Sequence, residues 1–355
     1  MFKLKYIQVK KNFLFLIVIA LSLLSCHKKV PYLPRVFVFT DINIDAGDPD
    51  DRQSLIHLLW YANELRIEGV VPDRWDARGF EACQQVAEAY SKDYPEFGFN
   101  NKGFPGPEVV HRLFASNRED AINRFQQAAS VENDPLYVLV WGNMSLFGEA
   151  LRSKPEVWRN IRLITIGTDL MMEEYRQYIP ENWEKTELPC EQYNWNGHGR
   201  NLIFNDERFT AMWWLEINWT YEGMFTGNEP SEIFEELLKY GALGQHMEEV
   251  VRNEPWARYF RVGDTPSVLY LIDPENNLED PGKGSWAGQF TRPFPDSRPN
   301  YFADFCGPVE WNYANPCLTW ENHKEFNRFA KGTLELRRPA MYQSMLKKLD
   351  GLYRK

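Results

Sequence analysis

Apolar residues along the chain fall in short unbroken blocks, each followed by a polar turn and then by apolar positions three and four apart. The first block, 36–39 (VFVF), has the β-branched and aromatic make-up of a strand covered on both faces. After it, Leu55, Leu58, Leu59 and Ala62 recur at helical spacing. The same alternation predicts strands over 66–71, 136–141 and 161–166, and helices over 77–90, 107–129 and near 145–152. Pro107 suits the first turn of the helix over 107–129. Strand and helix repeating at this pitch predict an α/β fold with a mostly parallel central sheet and helices on both faces. The pattern breaks at 171–203, where Pro180, Pro189 and the run EQYNWNGHGRN predict a long irregular segment, usually a functional or packed surface loop. Helices are predicted again over 205–219 and 231–239, with a terminal one in the basic stretch 333–355.

Ahead of the first strand, residues 1–12 carry lysines and no acid, 13–24 (FLFLIVIALSLL) are apolar, and LLSC follows at 23–26. This is the pattern of a secretory signal, too short and wrongly flanked for a stable membrane span. LLSC resembles the lipobox of bacterial lipoproteins, which implies cleavage before Cys26 and acylation of its thiol; an ordinary signal peptide cut elsewhere is the alternative. The expected organisation is a signal peptide over 1–25, a linker over 26–34 after lipidated Cys26, and a single domain over 35–355 with a C-terminal extension from about 291. The expected location is the bacterial cell envelope, periplasmic or surface-exposed, with membrane contact only through the lipid anchor.

Loss of Lys3, Lys5, Lys10 and Lys11 with the signal moves the formal charge from −10 to −14, with 36 basic residues against 50 acidic. Such a surface repels phosphate backbones, so no nucleic-acid partner is expected. Besides Cys26, four cysteines remain, at 83, 190, 306 and 317. Cys306 and Cys317 have the spacing of a short-loop disulfide, and no CxxC or Cys/His spacing suits a structural zinc site. The 13 Trp, 17 Tyr and 23 Phe mostly serve to fill a large core.

The chemistry concentrates after the first strand, where Asp41, Asp45, Asp48, Asp50 and Asp51 stand within eleven residues. Carboxylates so close repel one another unless a cation or a hydrogen-bond network holds them, which makes a hard-metal site the first reading. A solvated acidic loop with Asp51 as helix N-cap is the alternative. The carboxyl ends of strands in an open α/β sheet are where ligands collect.

The run TD, a glycine-containing turn, PDDRQS and LLWYANELRIEGVV resembles the opening motif of the nucleoside hydrolase superfamily. It is closer still to the nucleoside-hydrolase-like domain of bacterial proteins described as cellulose-binding. PLYVLVWGN (135–143), LITIGTD (163–169) and GDTPSVLYLIDP (263–274) match in the same order, so the resemblance spans roughly 35–289. It implies a nucleoside-hydrolase-like fold and a Ca²⁺ ion held by Asp41, Asp50, Asp51 and Asp264, with a backbone carbonyl from Asn143 or Met144. It also implies hydrolysis of N-glycosyl, nucleoside-like or related glycosyl bonds, Asp41 being the base that activates a water held at the ion.

Candidates for the leaving-group acid are His198 and, with it, His246; His57 is expected to pack within the fold. Asn143, Asn194, Trp195 and Asn196 are candidates for sugar hydroxyls and a ring face, and Asp169 is expected to be a turn residue. The ligand expected is a small-molecule nucleoside or saccharide. The chain departs from the superfamily in three places: the turn between Asp41 and Asp50 is longer, Gly263 stands where many members have a histidine, and Pro-Asp-Arg-Trp replaces the asparagine expected to hold a ribose hydroxyl. These departures keep two rivals open. One is a non-catalytic carbohydrate-binding envelope lipoprotein on the same fold, the other a paired-carboxylate glycoside hydrolase. Hydride, phosphoryl and acyl transfer lack their motifs.

Overall fold

Four of the apolar blocks become strands: β1 (Arg35–Thr40), β2 (Arg66–Pro72), β3 (Leu136–Trp141) and β4 (Ile161–Ile166). A computed structural model of the chain describes residues 32–45, 49–167, 170–172, 192–194, 199–252, 254–314 and 316–354. All residues of β1 and β3 are buried, because successive side chains enter two different cores. Val36 and Val38 join one core, while Phe37 and Phe39 join the other.

A short antiparallel pair, β5 (Leu170–Met172) and β6 (Gln192–Asn194), stands apart from the main sheet. The main sheet is completed by β7 (Trp213–Ile217), β8 (Phe290–Thr291) and β9 (Tyr301–Asp304), in the order β2-β1-β3-β4-β7-β9-β8. Neighbours are parallel throughout except β8 with β9. This is the mostly parallel α/β architecture that the alternation predicts.

Helices cover both faces. On the Val36 face lie α1 (Asp50–Trp60) and α2 (Gly79–Glu96). On the Phe37 face lie α3 (Arg118–Ala129) and α4 (Ser145–Ser153), whose Phe125 and Phe147 rings meet Phe39 edge to face at 5.5 and 5.6 Å. The first face is completed by α5 (Gly241–Val251), α6 (Pro266–Ile272) and, near the C-terminus, Met341 and Met345. Residues Pro34–Lys355 form one compact unit. No helix among the described residues is long and apolar enough to cross a membrane.

Three predicted elements differ. The helix predicted over 107–129 is two, Pro107–His111 and α3, because the chain between them serves the outer edge of the sheet. Val70 donates to the Leu113 carbonyl and accepts from Ala115 N–H, both at 2.9 Å, and Asn117 then caps α3. The helix predicted over 205–219 is instead a turn followed by β7. Trp213 packs in one core against Tyr270 and Phe302, and Trp214 in the other against Tyr301, so the segment has period two. The terminal helix predicted over 333–355 starts later, as α8 (Arg338–Leu352), because 333–335 close a separate helix, α7 (His323–Glu335). Pro339, which has no N–H to donate, falls in the first turn of α8. Cys306 carries a free thiol, and the side chain of Cys317 lies outside what the structure describes.

His57 packs as the sequence reading expects. Its ring lies 5.2 Å from Tyr61 and 5.8 Å from Phe260. Burial, helped by Lys348, pushes its pKa down to about 3 from an ordinary 6.5. Below about pH 6.5 the unfolded chain takes up a proton that the folded chain refuses. Stability therefore falls with pH by up to about 1.4 kcal/mol per unit. Urea unfolding of His57→Gln should give a deficit against wild type that narrows between pH 7 and pH 5. A deficit constant over that range would contradict a neutral buried imidazole.

Candidate functional site

The carboxyl ends of β1, β2 and β3 and the start of α1 meet at one corner. β1 ends at Thr40, whose hydroxyl donates to Asp51 Oδ1 and accepts the Ile42 N–H at 3.1 Å. Asp41 follows, with its N–H donating to the Trp141 carbonyl at the end of β3 (3.4 Å). α1 opens with Asp50 and Asp51 in its first turn, where the helix dipole favours negative charge. Its N-cap is Pro49, so Asp51 is not the cap. Asp264 sits in the turn before α6. Ser267 Oγ donates to the Asp264 carbonyl at 2.7 Å and accepts from Trp141 Nε1 at 2.8 Å, tying that turn to β3.

These anchors bring oxygens of Asp50, Asp51 and Asp264 within 4.8 Å of one another. Two glycines make room. Gly142, at φ 86°, would place a Cβ 2.9 Å from Asp41 Oδ1, and at Gly263 a Cβ would fall 2.7 Å from Asp50 Oδ2 and 2.9 Å from the Phe225 ring. The space that a histidine side chain would need at 263 is therefore filled by the Asp50 carboxylate and Phe225.

Burial, then Asp264, Asp41 and Asp50, push the Asp51 pKa well above the ordinary carboxylate range, against the hydrogen bond from Thr40. A buried acid whose ionisation three neighbouring acids hinder suits a divalent cation. Two oxygens bound to one calcium at about 2.4 Å stand at most about 4.8 Å apart, so the span and the all-oxygen donor set fit a hard cation.

Residues 35–290 match the family model described as "Cellulose-binding Sde182, nucleoside hydrolase-like domain". The chain belongs to this family. Its fold is similar to that of a nucleoside hydrolase-related hypothetical protein from Saccharophagus degradans that is associated with carbohydrate metabolism. The TM-score is 0.57 and the identity 18%, over 91% of this chain and 72% of that one. An inosine-uridine preferring nucleoside hydrolase from Bacillus anthracis is more distantly similar, with TM-score 0.38 and 16% identity over 62% of this chain and 76% of that one. No curated protein matches in sequence. The nucleoside hydrolase-like fold supports a hydrolase-like or carbohydrate-binding function.

Within this family member, the remaining candidates fall as follows. Asn143 follows Gly142, and its Oδ1 accepts the Ser145 N–H at 2.8 Å at the start of α4. The Met144 carbonyl accepts the Gly148 N–H at 2.8 Å, closing the first turn of that helix. Asp45 is exposed and pairs with Arg78 at 3.4 Å. His246 is buried on α5 with Nδ1 2.9 Å from Glu249, and burial pushes its pKa down. Asn194 is described only as backbone in β6; Cys26, Asp48, Asp169, Trp195, Asn196 and His198 lie outside the described residues.

One residue of the corner escaped the sequence reading. Asp73 stands directly after β2, where the superfamily comparison registers only a missing asparagine. Its N–H donates to the Thr40 carbonyl at 2.9 Å, which sets it beside Asp41. Burial, then Asp41, push its pKa well above the ordinary range. The available signal was its place at the carboxyl end of a buried strand.

Proposed function

We propose that the chain is a calcium-dependent hydrolase of N-glycosyl, nucleoside-like or related glycosyl bonds. The observation that carries this reading is the approach of Asp50, Asp51 and Asp264 oxygens to within 4.8 Å at the corner occupied by Asp41. The ion, when bound, would orient a sugar diol and lower the pKa of a neighbouring water. Asp41 takes the proton of the water whose oxygen attacks the anomeric carbon as the bond to the leaving group breaks. The surrounding carboxylates favour the positive charge that builds on the sugar ring. His198 is assigned the proton for the leaving group, and Asn143, Asn194, Trp195 and Asn196 the sugar hydroxyls and ring face. The protein acts in the cell envelope, held by acyl chains on Cys26 after removal of 1–25, with 26–34 as tether.

The family description, cellulose-binding, favours a second reading in which the same corner binds a saccharide without turnover. Both readings take a small-molecule ligand. A screen of nucleosides, nitrophenyl glycosides and oligosaccharides, with and without Ca²⁺, separates them. Hydrolysis that needs Ca²⁺ and falls at least about a hundredfold in Asp41→Asn supports the enzyme. Saccharide binding with no turnover, unchanged in Asp41→Asn, overturns it in favour of the binding protein.

A further inference from the structure

Trp141 closes β3 with two holds on the acidic corner. Its carbonyl accepts the Asp41 N–H at 3.4 Å, and its indole Nε1 donates to Ser267 Oγ at 2.8 Å. Both side chains are fully buried. An indole N–H can only donate, so the hydroxyl it meets must accept. The one hydroxyl proton is then left to point at the Asp264 carbonyl, 2.7 Å away. The Ser267 N–H reaches the same carbonyl at 3.2 Å. From the other side Gln53, on α1 two residues after Asp51, accepts the Arg261 N–H on its Oε1 at 2.9 Å. Residues 261–264 are therefore pinned to α1 at one end and to β3 at the other.

The hold decides which ion fits. Aspartate has a single methylene between its backbone and its carboxylate, so the Asp264 oxygens follow the backbone closely. Calcium accepts oxygens at about 2.4 Å in irregular arrays, whereas magnesium demands about 2.1 Å and a near-ideal octahedron. To take the smaller ion, carboxylates from α1 and from the 261–264 turn would have to close by a few tenths of an ångström, and a pinned turn resists that movement. We infer that Trp141 and Ser267 are positioning residues that act through the Asp264 turn and set the preference of the corner for Ca²⁺ over Mg²⁺. This rests on the calcium reading of the site, and concerns what holds the ligands in place rather than the ligands themselves.

Titration calorimetry of chelator-treated protein with Ca²⁺ and with Mg²⁺ tests the assignment. The proteins are wild type, Trp141→Phe, Ser267→Ala and the double variant. Ser267→Ala deletes a single oxygen, so it gives the answer even if Trp141→Phe fails to fold. Each single variant should narrow the ratio of Ca²⁺ to Mg²⁺ affinity about tenfold, the worth of one hydrogen bond. The double variant should narrow it no further, because both changes break one relay. Thermal unfolding in chelator runs alongside, since a merely structural role would lower the melting temperature and leave the ratio alone. A ratio unmoved in Ser267→Ala, additive losses in the double variant, or a wild type that takes Mg²⁺ as readily as Ca²⁺ overturns the inference while a divalent site stands. If wild type binds neither ion, the calcium reading fails with it.

Discussion

In the absence of divalent ions, Asp51→Asn should be more stable than the wild-type chain, and it should gain nothing from added calcium. Asp51 is buried, and the folded state raises its pKa through burial, Asp264, Asp41 and Asp50 in that order. A carboxyl raised on folding contributes stability at low pH, and that contribution is lost as pH climbs from the unfolded value toward the folded one. At neutral pH the apoprotein therefore carries a liability that an amide lacks, and Thr40 can donate to the Asn Oδ1 as it does to Asp51. The expected gain is on the order of 1 to 3 kcal/mol in chelator. Calcium at a thousand times its dissociation constant should reverse the ranking, because a ligand that binds only the folded chain then stabilises wild type by about 4.1 kcal/mol. Guanidinium unfolding in chelator and in calcium reads both effects. A variant that is destabilised in chelator, or that still responds to calcium, would remove Asp51 from the metal site.

Glu216→Gln should cost about 3 to 5 kcal/mol, the largest loss expected from a change outside the acidic corner. Glu216 is fully buried on β7 and takes Arg200 Nε and Nη2 at 2.8 Å each, with the Tyr301 hydroxyl as a further donor. Burial alone would lower the Arg200 pKa, but the Glu216 charge overrides it and holds the guanidinium ionised. Arg200 also lies 4.3 Å over the Phe204 ring. Neutralising Glu216 leaves that cation buried without its counter-charge. Replacing both partners, as Arg200→Met with Glu216→Leu, should recover most of the loss. Arg200 opens the short helix Arg200–Phe204. Calcium binding should be unchanged in Glu216→Gln; its loss would mean that the pair supports the acidic corner as well.

The strands β1 and β3 were legible because each is built on an unbroken apolar block (36–39 and 136–141), the pattern that burial on both faces demands, and β4 because Ile161, Leu163, Ile164 and Ile166 leave only Arg162 and Thr165 polar within it. β7 was not. WWLEI follows a stretch with helix-compatible spacing, and a segment of five residues buried on both faces has no alternation to separate it from a helix. β8 and β9 lie in a Pro- and Asn-rich tail whose two- and four-residue strands are shorter than any periodicity can register. The split of 107–129 was hidden because its cause is tertiary: Val70 at the outer edge of the sheet needs backbone partners.

At the site, Asp41, Asp50 and Asp51 were legible through their crowding, whereas Asp264 was reached only through resemblance, since nothing local marks a lone Asp after Gly263. Asp73 was overlooked for the converse reason. It was read as the absence of another residue rather than as a carboxylate placed beside Asp41.

Asp50, Asp51 and Asp264, with Asp41 as the fourth carboxylate that the resemblance implies, are proposed to hold one divalent cation. The most direct measurement is anomalous diffraction from crystals of the chain grown in calcium, with a lanthanide soak to strengthen the signal. One strong peak is expected about 2.4 Å from an oxygen of each of Asp50, Asp51 and Asp264. No peak at this corner, with the three carboxylates bonded instead to arginine or lysine side chains, would contradict it.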